Sequence, residues 1–228
     1  MISKSSTGRQ PLLKNFGGTS RQSAILILGP TGSGKTPLGN FLEKHGLAGR
    51  KCMHFDFGAS LRNIGDGKMV SASLIGSDLE VVRRVLETGA LLEDSEFHIA
   101  GRILKDFVES RCSRSQDLVV LNGLPRHAGQ ARDIEKIVNV LIVVCLDCSA
   151  DVVFDRISHD TGGDRKGRID DNKELIRGKL KIFRKRTLPL LDHYRASGVK
   201  VENITVTKET RPRDIAGRIT EVFETLVC

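Results

Sequence analysis

The chain has 228 residues, enough for one globular domain with modest insertions but awkward for two independent ones. Its composition, 39% hydrophobic and 28% charged, is typical of a soluble protein, and no run of about 18 apolar residues is present, which disfavours a membrane protein. The net charge of +8 indicates an anionic partner. With one tyrosine and no tryptophan, few rings are available to stack on bases, so nucleic acid is the less favoured partner and a phosphorylated small molecule the more favoured one.

Residues 1–22 are basic, rich in serine and glycine, and contain no acidic residue. We expect this segment to be a disordered tail. Its composition also fits a mitochondrial presequence, so mitochondrial import is a lesser alternative to a cytoplasmic location. The five cysteines match no four-ligand metal spacing and indicate reduced, intracellular thiols.

From Ser23 onward, apolar runs alternate with helical patterns. The run at 24–28 predicts a strand buried on both faces, and similar runs occupy 118–121, 140–144 and, less strongly, 199–206. Helical patterns occupy 38–45, 79–86, 98–109, 173–196 and 212–226. This alternation predicts an α/β fold with a parallel sheet covered by helices on both faces.

The first predicted strand leads into a Walker A pattern with every fixed position filled. The pattern consists of Gly29, Pro30, Thr31, Gly32, Ser33, Gly34, Lys35 and Thr36. Such a loop points backbone N–H groups at phosphates, while Lys35 reaches the outer phosphates and the Thr36 hydroxyl coordinates Mg²⁺. We therefore expect ATP and Mg²⁺ as cofactors. An ordinary glycine-rich turn is the alternative, and the strand before and helix after the pattern disfavour it. Pro37 removes one N–H from the first helical turn.

Three further segments carry a resemblance to a known family. Residues 121–126, Leu-Asn-Gly-Leu-Pro-Arg, followed by Gln130, resemble the adenylate kinase signature Leu-Asp-Gly-Phe-Pro-Arg and its glutamine. Residues 57–62 resemble that family's Thr-Gly-Asp-x-Leu-Arg. Residues 167–172 together with 187–190 resemble its Gly-Arg-x-Asp-Asp-Asn and Thr-x-Pro-Leu. The motifs follow the family's order and spacing, so the chain is similar to nucleoside monophosphate kinases over about residues 23 to 226.

The resemblance implies five parallel strands, a helical acceptor-binding insertion at about 58–92 and a short lid at about 158–167 without the cysteines of zinc-bearing lids. It also implies transfer of the γ-phosphoryl group of MgATP to a nucleoside monophosphate by a monomer. The residues assigned to catalysis are Lys35, Arg126, Arg168 and Lys179. Those assigned to the acceptor are Gly58, Arg62, Leu92, Gly123, Arg126, Gln130 and Arg168, and Arg156 is placed against the donor adenine. The amide of Gln130 favours AMP as the acceptor.

The chain also departs from the family pattern. Ala59 and Asn122 replace carboxylates that hold the waters around Mg²⁺, which leaves Thr36 as the expected metal contact. Asp160 replaces a lid arginine, with Arg165 as its substitute, and Lys179 replaces an arginine that forks onto phosphate. These departures keep two alternatives open: a nucleotide-binding, catalytically weak regulatory module, and a kinase for another monophosphate such as UMP or CMP.

Overall fold

A computed structural model describes residues 21–68, 74–165 and 172–227. Within these ranges a five-stranded sheet is formed, and every strand pair in it is parallel. The strands are β1 (Gln22–Leu28), β2 (Cys52–Asp56), β3 (Leu118–Asn122), β4 (Val138–Asp147) and β5 (Lys200–Thr205), in the order β2-β3-β1-β4-β5. The predicted α/β class is confirmed.

Helices connect the strands. They are α1 (Lys35–His45), α2 (Phe57–Gly65), α3 (Gly76–Thr88), α4 (Phe97–Arg111), α5 (Ala128–Ile134), α6 (Ala150–Ser158), α7 (Lys173–Ile182), α8 (Leu190–Ala196) and α9 (Pro212–Val227). A short 3₁₀ turn, Asp94–Glu96, precedes α4, and a π-helical turn, Phe183–Thr187, follows α7. Each helix in the described part of the chain is too short or too polar to cross a bilayer.

Side chains of the central strand alternate between two apolar cores, as the two-residue period of a strand requires. Ala24, Leu26 and Leu28 join the core that packs against α2, α3, α4, α5 and α8. Ile25 and Ile27 face the other way, toward α1 and α9. All five side chains are buried, so the continuous apolar run is explained by helices on both faces of the sheet.

A third, smaller apolar group has its own buried members and touches the core facing α1 and α9 through Cys148. Its buried members are Val153 and Ile157 on α6 and Ile176 and Leu180 on α7. We call this group the lid cluster, because α6 and α7 flank the segment that the sequence identifies as a lid.

The structure differs from the sequence expectations in three places. The strand β2 was not predicted, and β1 begins at Gln22, inside the segment assigned to the tail. The single helix expected over 173–196 is interrupted, because Pro189 has no N–H to donate to the preceding turn. There the N–H of Leu188 donates to the carbonyl of Phe183, 2.8 Å away. The predicted disorder of the tail and the part of the lid at 166–171 lie outside the described residues.

The carboxyl ends of β1, β2 and β3 meet at one edge of the sheet. Asn122, the last residue of β3, is in register with Ile27 of β1 on one side and with Asp56 of β2 on the other. The chain reverses its direction of winding around β1, which has β3 and β4 as neighbours. Ligands of open parallel sheets bind at such a point, and the Walker A loop follows β1 directly.

Candidate active site

The Walker A loop wraps between the end of β1 and the start of α1. Gly32 and Gly34 have φ of 76° and 95°, values that favour glycine, and α1 begins at Lys35. The Lys35 ammonium lies over the loop and donates to the carbonyls of Gly29 and Pro30, at 2.8 and 2.6 Å. Pro37 occupies the first turn of α1, where its missing N–H disrupts no intrahelical bond. The loop and the helix start thus line a cleft, with the N-terminus of α1 in a position that suits an anion.

A carboxylate that the sequence analysis missed lies beside the start of α1. Asp56 Oδ2 accepts hydrogen bonds from Thr36 Oγ1 at 2.7 Å and from Asn122 Nδ2 at 2.9 Å. Asn122 Nδ2 also lies 3.0 Å from Thr36 Oγ1. The other carboxylate oxygen, Oδ1, accepts from the N–H of Ala59 at 2.9 Å and caps α2. Asp56 directly precedes the motif at residues 57–62, which does not include it.

A histidine lies behind this group. His54 Nδ1 lies 2.9 Å from Asn40 Oδ1, and His54 Nε2 lies 3.4 Å from Asn122 Nδ2. Burial lowers the pKa of His54, although the nearby Asp56 carboxylate acts in the opposite direction. A neutral ring that donates through Nδ1 and accepts through Nε2 satisfies both neighbours, which fixes the amide of Asn122 with its NH₂ toward Asp56.

Arg126 also lines this cleft. Its backbone is held on both sides: its N–H donates to Gln130 Oε1 at 2.8 Å, and its carbonyl accepts from Thr187 Oγ1 at 2.9 Å. The guanidinium has no carboxylate within ion-pair distance among the described residues, and burial lowers its pKa. An unpaired, desolvated arginine is costly unless an anion binds to it.

Gln130 and Leu92 lie beside Arg126. Gln130 is 1% exposed, and its Nε2 donates to the carbonyl of Leu92 at 2.8 Å. His127 Nε2 lies 3.3 Å from the same carbonyl. Two hydrogen bonds of the Gln130 amide therefore fix the Arg126 loop, and they leave one N–H and one lone pair of this buried amide unused.

The other predicted acceptor residues Gly58, Arg62 and Gly123, and the predicted catalytic residue Lys179, also line this cleft. Arg62 is exposed on α2, and Lys179 is half-buried on α7. The cationic side chains of the cleft are Lys35, Arg62, Arg126, Arg165 and Lys179, and its carboxylates are Asp56 and Asp164. The excess of positive charge suits an anionic ligand.

Arg156 has a structural role that its motif did not reveal. It is 5% exposed, and its Nη1 donates to the carbonyls of Thr207, Lys208 and Thr210 at 2.8, 3.2 and 3.1 Å. Its Nε donates to the carbonyl of Gly32 at 3.2 Å. Arg156 thus ties the Walker A loop to the segment before α9 and borders a second cavity between Pro37 and that segment.

The described part of the lid, 158–165, turns back toward the Walker A loop. Asp160 Oδ1 accepts from the N–H of Arg165 at 3.0 Å, and Arg165 Nη2 lies 3.5 Å from Thr31 Oγ1. Asp160 therefore shapes the turn, and Arg165 reaches the loop. Arg168 lies outside the described residues.

The donors around Thr36 fit a magnesium ion. The hydroxyl of Thr36 and the carboxylate of Asp56 are oxygen ligands of the kind that Mg²⁺ prefers. No group of three or more His, Cys, Asp or Glu side chains that could hold an ion occurs in the described ranges. Such a sparse set suits an ion that shares its coordination with nucleotide phosphates.

A parallel sheet with a Walker A loop at its switch point and a cationic cleft defines a P-loop, nucleotide-binding kinase. The chain belongs to the adenylate kinase family, because the family model described as adenylate kinase matches residues 27–199.

Curated relatives agree with the family model. The adenylate kinase of Haloarcula marismortui is 28% identical over 196 residues, covering 75% of this chain and 83% of that protein. The adenylate kinase of Stenotrophomonas maltophilia is 28% identical over 204 residues, covering 84% and 97%. A gluconokinase from Sinorhizobium meliloti 1021 superposes with a TM-score of 0.50 at 16% identity, covering 91% of this chain and 98% of that one, which shows the fold alone.

Proposed function

We propose that this kinase transfers the γ-phosphoryl group of MgATP to a nucleoside monophosphate, with AMP as the preferred acceptor. One observation carries the proposal: two groups suited to binding anions line a single cleft. One is the Walker A loop with Lys35, and the other is Arg126, which lacks a carboxylate partner among the described residues. A donor phosphate chain at the loop and an acceptor phosphate at Arg126 would supply the missing negative charges.

The residues present match the needs of this reaction. A monophosphate is already an anion, so transfer to it requires positioning and charge neutralisation rather than a protein base. Lys35 and the loop amides bind the donor phosphates, and Arg126 and Arg62 grip the acceptor phosphate through planar guanidinium forks. Lys179 adds charge from α7, and Arg168 is assigned to the transferring group by its motif alone. When bound, Mg²⁺ neutralises charge on the donor phosphates, and Thr36 is one of its ligands.

The acceptor base is assigned to the region around Gln130. Its amide retains one N–H and one lone pair, a combination that matches the donor and acceptor edge of adenine. Phe57 and Leu92 line the same part of the cleft and provide apolar surface for a ring. The donor adenine is assigned to the second cavity, beside Arg156.

The test is ADP formation from MgATP with AMP, CMP, UMP, GMP and their deoxy forms offered separately. We expect the highest kcat/KM with AMP and little ADP when no acceptor is added. Faster turnover of CMP or UMP would assign the chain to a different monophosphate. Tight ATP binding without ADP formation from any acceptor would contradict the kinase proposal and favour the regulatory module.

The proposed enzyme is a monomer in the cytoplasm. Sedimentation at micromolar concentration tests the first statement. Fractionation of cells that express the full chain and a variant lacking residues 1–20 tests the second, because an import signal in the tail would place only the full chain in an organelle.

A further inference from the structure

We infer that Asp56 is the carboxylate that binds the hydrated Mg²⁺ of the nucleotide, so that this chain carries the acid of its metal site on β2, whereas the family pattern places one on β3. The inference rests on the ATP binding proposed above. Asp56 and Thr36 are then the two side chains of the protein that hold the metal ion. They take over the role of the carboxylates that the family pattern has at positions 59 and 122, where this chain has Ala59 and Asn122.

The register between β2 and β3 explains how the carboxylate can lie on either strand. Asp56 and Asn122 end neighbouring strands and are register partners, so a carboxylate on either strand reaches the same place. The side chains touch, with Asn122 Nδ2 2.9 Å from Asp56 Oδ2. Aspartate at both positions would place two carboxylates in contact, and mutual repulsion would keep one protonated. One aspartate and one asparagine supply one charge and a hydrogen bond that holds it.

The position of Asp56 Oδ2 indicates a metal-binding role for this carboxylate. It is 2.7 Å from Thr36 Oγ1, the Walker A hydroxyl that coordinates Mg²⁺ in P-loop proteins. A carboxylate next to bound phosphates is repelled by them unless a cation lies between. Asp56 lines a cleft whose other walls bind anions, so a cation beside Thr36 is what makes its charge favourable there.

Capping of α2 does not account for the charge. The cap uses only Oδ1, which accepts from the N–H of Ala59. Asparagine caps helices as well as aspartate does, so a cap alone requires no carboxylate at this position. Substitution by asparagine therefore removes the charge while keeping the shape and the cap.

The experiment compares the full chain with Asp56→Asn, using ATP binding measured by calorimetry with EDTA and with Mg²⁺. A second readout is Mn²⁺ binding in the presence of a non-hydrolysable ATP analogue, followed by electron paramagnetic resonance. We expect the variant to bind ATP in EDTA as well as the parent or better, because a repulsive charge is removed. The gain in ATP affinity on adding metal should fall by about 10- to 100-fold.

Two further variants make the test specific. Asp56→Asn combined with Asn122→Asp moves the carboxylate to the register partner and should restore most of the metal-dependent gain. Asp147→Asn removes an exposed carboxylate at the end of β4 and should change neither readout. Thermal unfolding of all variants checks that the fold is retained.

Four outcomes would overturn the inference. If Asp56→Asn weakened ATP binding equally with and without metal, the residue would be structural. If metal binding were unchanged but phosphoryl transfer were lost, Asp56 would act on the acceptor, for example as a base for a hydroxyl group. If the parent bound ATP with no response to metal, the site would be wrong while the acceptor proposal could still hold; a parent that did not bind ATP would remove both.

Discussion

Replacement of Arg126 by methionine should lower activity strongly without lowering stability. The guanidinium is desolvated and has no carboxylate partner in the described part of the chain, so the folded protein carries an uncompensated cost until an anion binds. Methionine removes that cost while keeping most of the apolar contact of the side chain. The hydrogen bonds of residue 126 to Gln130 and Thr187 involve its backbone and remain. The free energy of unfolding should therefore be unchanged or higher by up to about 1 kcal/mol.

The kcat/KM for phosphoryl transfer to AMP should fall strongly. Two hydrogen bonds from a guanidinium to a phosphate contribute roughly 1.5–3 kcal/mol each, which corresponds to a loss of about a hundredfold to ten-thousandfold in kcat/KM for AMP. The binding of ATP alone should not change, because Lys35 and the Walker A loop make their recorded hydrogen bonds without Arg126. Arg132→Met, an exposed arginine on α5, is the matched control and should alter neither property.

The assays are urea unfolding without ligand and initial rates of ADP formation over a range of AMP concentrations. An Arg126→Met protein with a normal response to AMP would refute the acceptor assignment. A loss of more than about 1 kcal/mol of unfolding free energy would show instead that Arg126 holds the fold together.

Three other substitutions have distinct expected results. Lys35→Met should lower kcat by about a hundredfold to a thousandfold with an unchanged circular dichroism spectrum, because the ammonium neutralises charge in the transition state; near-normal turnover would contradict its role. The pKa of Asp78, which is 3% exposed, is held below its usual value first by the N–H of Ile75 and then by His98. A lowered folded-state pKa stabilises the protein above the unfolded pKa of about 4, and this stabilisation is lost as the pH falls through the lower, folded value. Asp78→Asn should therefore cost about 1–2 kcal/mol at neutral pH, a modest figure because His98 is half exposed, and the difference in urea unfolding should shrink in acid. Arg156→Met should lower the free energy of unfolding by about 3 kcal/mol or more, because several backbone carbonyls lose their donor, and an unchanged urea midpoint would contradict this.

Local patterns were sufficient for the fold class and the Walker A loop. The apolar runs of β1, β3 and β4 are continuous because these strands are buried on both faces. Strand β2 has only five residues, and the polar, half-buried His54 interrupts its apolar sequence. Its own sequence therefore predicts a strand only weakly. Its strand conformation comes from pairing with β3, a contact between residues more than sixty positions apart.

The metal site also depends on contacts between residues that are distant in the sequence. Motif positions identified Thr36 and the two missing carboxylates, and they suggested a deficient site. The proximity of Asp56 to Thr36 depends on the register between β2 and β3 and on the placement of α1, which no local pattern specifies. An acidic residue ending a short strand directly before a recognised motif was the available signal.

Similarly, Pro189 was visible in the sequence, but the helical periodicity across 173–196 concealed the break. The π-helical turn that results places Thr187 against the carbonyl of Arg126, so the interruption helps to hold the Arg126 loop in place.

The separation of the lid cluster from the two main cores bears on how such chains diversify. Its buried members, Val153, Ile157, Ile176 and Leu180, belong to neither core, although the half-buried Cys148 packs against both this cluster and the core facing α1 and α9. A segment with few buried apolar contacts unfolds locally at a lower free energy than the cores on the two faces of the sheet. We therefore expect insertions or deletions between α6 and α7 to leave the packing of the sheet intact, so that evolution can lengthen or shorten this loop without rebuilding the rest of the molecule.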